Sequence, residues 1–162
     1  MKARRGAEEK LLRHLLDKVL GLSEAETGGY RHYVFECLAR TDLAKAQKWW
    51  DKEKAASDRL ASNDARNYLH TLQKAQAEQA AASDVDEAIS LLSDLDAEEA
   101  CRPLRKMGER FQATEPTRGL RFAEEAVVKA RALPLPNRAW HLAAACDLVV
   151  RLGQQLAGRK LL

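Results

Sequence analysis

The stretch TDLAKAQKWWDK (residues 41–52) sets two tryptophans side by side in a segment otherwise made of Leu43, two alanines, three lysines and a few other polar residues. It opens on Thr41 and Asp42, a hydroxyl and an acid where a helix N-cap and first-turn charge belong, and it contains neither Gly nor Pro. The segment therefore reads as a helix. Successive residues sit about 100° apart around a helix, so Trp49 and Trp50 cannot face the same neighbour. A helix with bulky apolar groups on two adjacent faces needs two packing partners, which makes the pair core residues of a helical stack. The competing reading is an aromatic platform for a ligand or for bases, and that would call for a basic groove around the pair.

The same reading extends along the chain. Breaks rich in Gly, Pro, Ser, Thr and Asp separate eight helical segments: 3–20, 30–40, 42–61, 64–81, 85–94, 97–112, 116–132 and 137–157. Pro103 either kinks the sixth segment or marks its start. Apolar residues recur at helical spacing in Val85, Ala88, Ile89 and Leu92, and in Leu104, Met107, Gly108 and Phe111. A third stripe runs Gly119, Phe122, Ala123, Ala126, Val127, Ala130, Leu133, and its small residues let a neighbouring helix come close. No alternating run of β-branched residues appears, so strands are not expected.

Three of these helices share a beginning. Thr41–Asp42, Ser83–Asp84 and Thr114–Glu115 each pair a hydroxyl with an acid. Five positions after the hydroxyl come the small residues Ala46, Ala88 and Gly119, followed by the pairs Trp49–Trp50, Leu91–Leu92 and Phe122–Ala123. Any Ala-rich capped helix could meet so loose a template, and internal repetition is the sharper reading.

With DLAKAQKWWDK and GLRFAEEA as second helices, and LRKMGERF and AWHLAAACDLVVRLG as first helices, the chain resembles the tetratricopeptide repeat, a helix–turn–helix unit of 34 residues. A HEAT-type or one-off right-handed helical array fits the same helices. The resemblance implies an all-α, right-handed array of antiparallel helical hairpins, an α-solenoid of about eight helices. Residues 1–162 would then form one domain, with 1–29 a capping helix and turn and 30–157 the hairpin repeats. It also implies a concave face lined by first helices, on which Arg31, Phe35, His70, Gln73, Arg102, Arg105 and Glu109 are the candidate partner-binding residues. Arginines there suit a peptide or partner with an acidic segment. The asparagines and lysines of the family's carboxylate clamp have no clear counterparts.

Nothing in the chain spells out catalysis. His14, His32, His70 and His141 fall in four different segments, with no metal-ligand spacing among them. The pairs Glu8–Glu9, Glu98–Glu99 and Glu124–Glu125 point apart on a helix, and no phosphate loop or nucleophile elbow is visible. The expectation is a non-enzyme without metal or cofactor, acting as an adaptor or scaffold.

With 27 basic and 24 acidic side chains, the net charge of +3 gives no general attraction to nucleic acid or membrane. The rival function is an all-helical nucleic-acid-associated protein using Lys2, Arg4, Arg5, Lys45, Lys48, Lys52 and Lys54, a set interleaved with Asp51 and Glu53. The apolar segment LLRHLLDKVLGL carries Arg13, His14, Asp17 and Lys18, unlike a signal peptide or membrane span. Cys37, Cys101 and Cys146 are odd in number and far apart, as in reduced thiols of a cytoplasmic protein. Finally, the segment 137–157 carries one apolar line through Leu142, Cys146, Val149, Leu152 and Leu156 and a second through Trp140, Ala144 and Leu148. The second line is expected to be covered by another copy of the chain, by a partner or by further sequence, a homodimer through 137–157 being the simplest to test.

Overall fold

A computed structural model describes the backbone of residues 14, 15, 18–22, 30–56 and 62–159. The described residues are helical with no strand among them: α1 (Arg31–Thr41), α2 (Leu43–Ala56), α3 (Ser62–Ala80), α4 (Val85–Ser93), α5 (Ala97–Phe111), α6 (Pro116–Arg131) and α7 (Asn137–Arg159). Of the first expected segment, residues 14, 15 and 18–20 are helical; Lys2, Arg4 and Arg5 lie outside the described residues. Helix α5 runs unbroken through Pro103, which is buried. The chain divides into two compact units, Met1–Ala75 and Gln76–Leu162, and the division falls inside α3.

The hydroxyl–acid steps work differently from the expectation. Thr41 belongs to the end of α1, where its hydroxyl donates to the Cys37 carbonyl at 2.9 Å, and Asp42 caps α2 by accepting from the Lys45 amide at 3.2 Å. Ser83 likewise donates back to the Ala80 carbonyl at 3.2 Å, and Asp84 accepts from the amides of Asp86 and Glu87. In each case the hydroxyl closes one helix and the acid opens the next. The physical reason is that a serine or threonine hydroxyl can donate to a free terminal carbonyl, whereas a carboxylate only accepts. At the third step Glu115 makes no side-chain cap, and Pro116 starts α6.

In the first unit the tryptophans find two partners. Trp49 packs against Phe35 of α1 at 4.9 Å between ring centroids and against Tyr68 of α3 at 5.2 Å. Trp50, 6% exposed, meets Tyr68 at 6.1 Å. Phe35 faces Trp49 while Arg31 is paired with Glu53 at 3.3 Å, so α1 and α2 run antiparallel. The core closes around Phe35, Leu38, Ala46, Trp50, Tyr68 and Leu72. Tyr68, which touches both tryptophans and Phe35, has no counterpart in the sequence expectations.

In the second unit the closest helix approach is between α5 and α6. A Cβ added to Gly119 would lie 2.9 Å from the Gly108 carbonyl oxygen, and one added to Gly108 would lie 3.1 Å from the Gly119 carbonyl oxygen. Backbone therefore meets backbone, which no larger residue at Gly119 permits. Farther along, the Cys101 thiol approaches the Ala126 carbonyl at 3.8 Å, which makes the two helices antiparallel. Leu148 and Leu152 of α7 cover the same crossing and pack with Ala123.

In the second unit, alternate helices run parallel. Arg118, Arg121 and Lys129 of α6 bond to Ala82, Asp86 and Ser93 on or beside α4, at sequence separations of 36, 35 and 36. Asn137 and Arg151 of α7 bond to Glu98 and Gln112 on or beside α5, both at a separation of 39. The second unit thus repeats its arrangement after two helices.

The buried side of α7 is Ala145, Leu148 and Leu152, with Leu142 and Val149 half-buried. This corrects the expected lines. Cys146 is exposed, and Leu148, assigned to a face awaiting another chain, is fully enclosed in its own unit. Trp140 of the same expected line is 61% exposed.

The packing generates two tests. Trp50→Ala removes a buried indole and is expected to cost about 3–5 kcal/mol in denaturant unfolding. Gly119→Ala gains about 1 kcal/mol of helix propensity but overpacks against backbone, typically costing about 1–3 kcal/mol, so a net loss is expected. Gly153→Ala, with nothing within 4 Å of its added Cβ, is expected to raise the thermal midpoint instead.

Candidate functional site

The seven candidate residues fall four in the first unit and three in the second. Phe35 is 0% exposed and His70 8%, so neither offers a surface to a ligand. Phe35 belongs to the buried face of α1 with Leu38 and Ala39, and its ring meets Trp49 and Tyr68. Arg31 is half-buried and engaged: it donates to the Leu20 carbonyl at 3.0 Å, pairs with Glu53 and lies 5.0 Å over the Trp49 ring. Gln73 is half-buried with its Oε1 enclosed. In the first unit, Arg31 therefore ties α1 to α2 instead of facing a groove.

The second-unit residues form a coherent surface. Glu98, Arg102, Arg105 and Glu109 recur at spacings of four, three and four along α5, one stripe of a helix. The start of α7 lies alongside: Asn137 donates to Glu98 at 3.2 Å, and the Arg105 guanidinium lies 5.5 Å from the centroid of the Trp140 ring. Arg105 also donates to Glu109 at 2.9 Å. Arg102 is exposed and makes no hydrogen bond or ion pair among the described residues. His141 meets Trp140 edge-on at 4.8 Å.

The magnitudes show what this stripe is for. An exposed i,i+4 ion pair is worth about 0.3–0.5 kcal/mol and an exposed cation–π contact about 0.5–1 kcal/mol. Neither holds the fold together, whereas the large apolar side chains beneath them do. The stripe therefore adds little to stability, and Trp140, expected on the α7 line that meets another chain, lies exposed beside it.

Among the described residues no group of His, Cys, Asp or Glu is arranged to hold a metal ion, and no helix is long and apolar enough to cross a membrane. Burial pushes the Cys101 thiol up, nearby Glu98 adds to the rise, and Lys129 partly opposes it. That makes Cys101 a poor nucleophile. No family model matches the chain, and neither the curated proteins nor the solved structures contain a significant match.

Thiol labelling checks the placement of the cysteines. Iodoacetamide at pH 8 is expected to modify exposed Cys146 first and Cys101 last, with peptide mass spectrometry reading the order.

Proposed function

We propose that this chain is a non-catalytic cytoplasmic protein-interaction module, a right-handed tetratricopeptide-like array of helical hairpins that binds a peptide or partner helix on the α5–α7 face. The observation that carries this reading is the parallel running of alternate helices with near-constant sequence separations, 35 to 36 between α4 and α6 and 39 between α5 and α7. A hairpin array has that property, since each first helix lies beside the next first helix one repeat later. The exposed Trp140 and Arg102 on the α5–α7 face add the residue types enriched at protein interfaces.

Self-association through α7 remains part of the proposal on different residues. Ala139, Ala143, Cys146 and Val150 are exposed and apolar, whereas Leu148 is not accessible. The nucleic-acid reading is favoured by one observation. Lys45, Lys48 and Lys52 share a helical stripe, and the acids interleaved with the lysines of α2 are engaged, Asp51 with Gln47 and Glu53 with Arg31. Salt-dependent retention on a nonspecific duplex distinguishes it.

The interaction reading is tested by affinity capture from the native host, read by mass spectrometry. Arg102→Glu with Arg105→Glu leaves the buried stripe Leu104, Met107 and Phe111 untouched, so an unchanged thermal midpoint and loss of the captured partners are expected. Unchanged capture by the double variant removes the α5–α7 face from the proposal.

A further inference from the structure

Arg105 presents an uncommon combination. Its guanidinium has five N–H donors in a planar fork. Among the described residues it donates one hydrogen bond, from Nη1 to Oε1 of Glu109 at 2.9 Å. The guanidinium also lies over the Trp140 ring, whose side chain remains 61% exposed. An arginine fixed against an indole is pre-organised to meet a carboxylate, because less side-chain freedom is lost on binding. Beside it the uncovered part of the indole is apolar surface of the kind that anchors a partner's side chain.

The structure also displays the group that fits this arginine, since a glutamate side chain already sits on it. Glu109 lies one turn along the same helix, and an exposed i,i+4 pair of this kind is among the weakest ion pairs in proteins. The other acid of the stripe, Glu98, is held by Asn137 and does not reach Arg105. Arg102, one turn before Arg105, adds a second cation with no partner among the described residues. With Glu109 swung aside, the centre of the stripe is Arg102, Arg105 and an indole, complementary to a carboxylate beside an aromatic ring.

Resting on the peptide-binding reading above, we propose that Arg105 and Trp140 recognise an internal acidic–aromatic segment of a partner protein, and that Glu109 is a built-in competitor for the position of the ligand's carboxylate. The ligand's side-chain carboxylate takes the Arg105 donors that Glu109 uses at rest, and its neighbouring aromatic side chain lies on Trp140. Glu109 sets the affinity by competing, so that only a carboxylate delivered together with an apolar contact displaces it.

The test is fluorescence anisotropy with a short labelled peptide carrying two Glu–Phe steps, both its ends blocked, against its Gln–Phe counterpart. Wild type is expected to bind the first and not the second. Glu109→Gln is expected to tighten binding several-fold, and Arg105→Lys, which keeps the charge but loses the fork and the stacking, to weaken it about ten-fold. Trp140→Ala is expected to weaken binding at an unchanged thermal midpoint, because that side chain is exposed. Equal binding of the two peptides, no binding of the Glu–Phe peptide, or unchanged or weaker binding by Glu109→Gln overturns the proposal. Should the Arg102/Arg105 double variant lose its captured partners while the Glu–Phe peptide fails to bind wild type, the interaction reading stands and this inference alone falls.

Discussion

The second unit is organised by a contact between two residues without side chains. Where Gly108 and Gly119 cross, each carbonyl oxygen lies only 2.9 to 3.1 Å from where the other residue's Cβ would be. That approach brings α5 and α6 together with Phe111 stacked on Phe122, centroids 6.0 Å apart. It also leaves a shallow saddle on which Leu148 and Leu152 of α7 sit. Once α7 is seated there its rotation is fixed, and with it the placement of Trp140 over Arg105. The candidate surface is thus a consequence of packing two turns away, because side chains in a close-packed interior transmit their positions to the elements above them.

The first unit meets the same problem with bulk. Its helices are held by rings: Tyr68 stands against Phe35, Trp49, Trp50 and His32, in edge-on and tilted contacts. Rings keep helix backbones apart, where glycines allow them to touch. Arg31 then closes the edge of that cluster through Trp49 and Glu53. A guanidinium engaged with Leu20, Glu53 and Trp49 costs more to release than the Arg105 guanidinium, which has a single hydrogen bond, to Glu109, among the described residues.

Much of the helical layout was legible because caps and breaks are local signals. The expected stripes of α5 and α6 are buried apart from Val127, which is half-buried, since glycines and aromatics at helical spacing leave little choice of phase. The caps slipped by one residue at Thr41 and Ser83 because a hydroxyl beside an acid can serve either helix. Helix α7 misled for a different reason. Its many alanines, with Cys146 and Gly153, give two apolar lines of similar strength, and only the saddle on α6 decides that Leu148 turns inward. Phe35 and His70 were placed in a groove by carrying a family's phase onto α1 and α3, whereas the packing around Tyr68 takes Phe35 into the core. Trp140 was placed on the α7 line expected to meet another chain, but its position beside Arg105 was not legible, since it depends on how α7 lies along α5.

The claim on which the account rests most directly is the contact of Gly108 with Gly119. Proton NMR with assigned glycine resonances measures it through the nuclear Overhauser effect between their α-protons. A strong cross-peak between the two glycines is predicted, accompanied by cross-peaks from Gly108 to the Leu148 methyl groups and from Gly119 to the Leu152 methyl groups. Assigned, resolved α-protons with no cross-peak between them would contradict it.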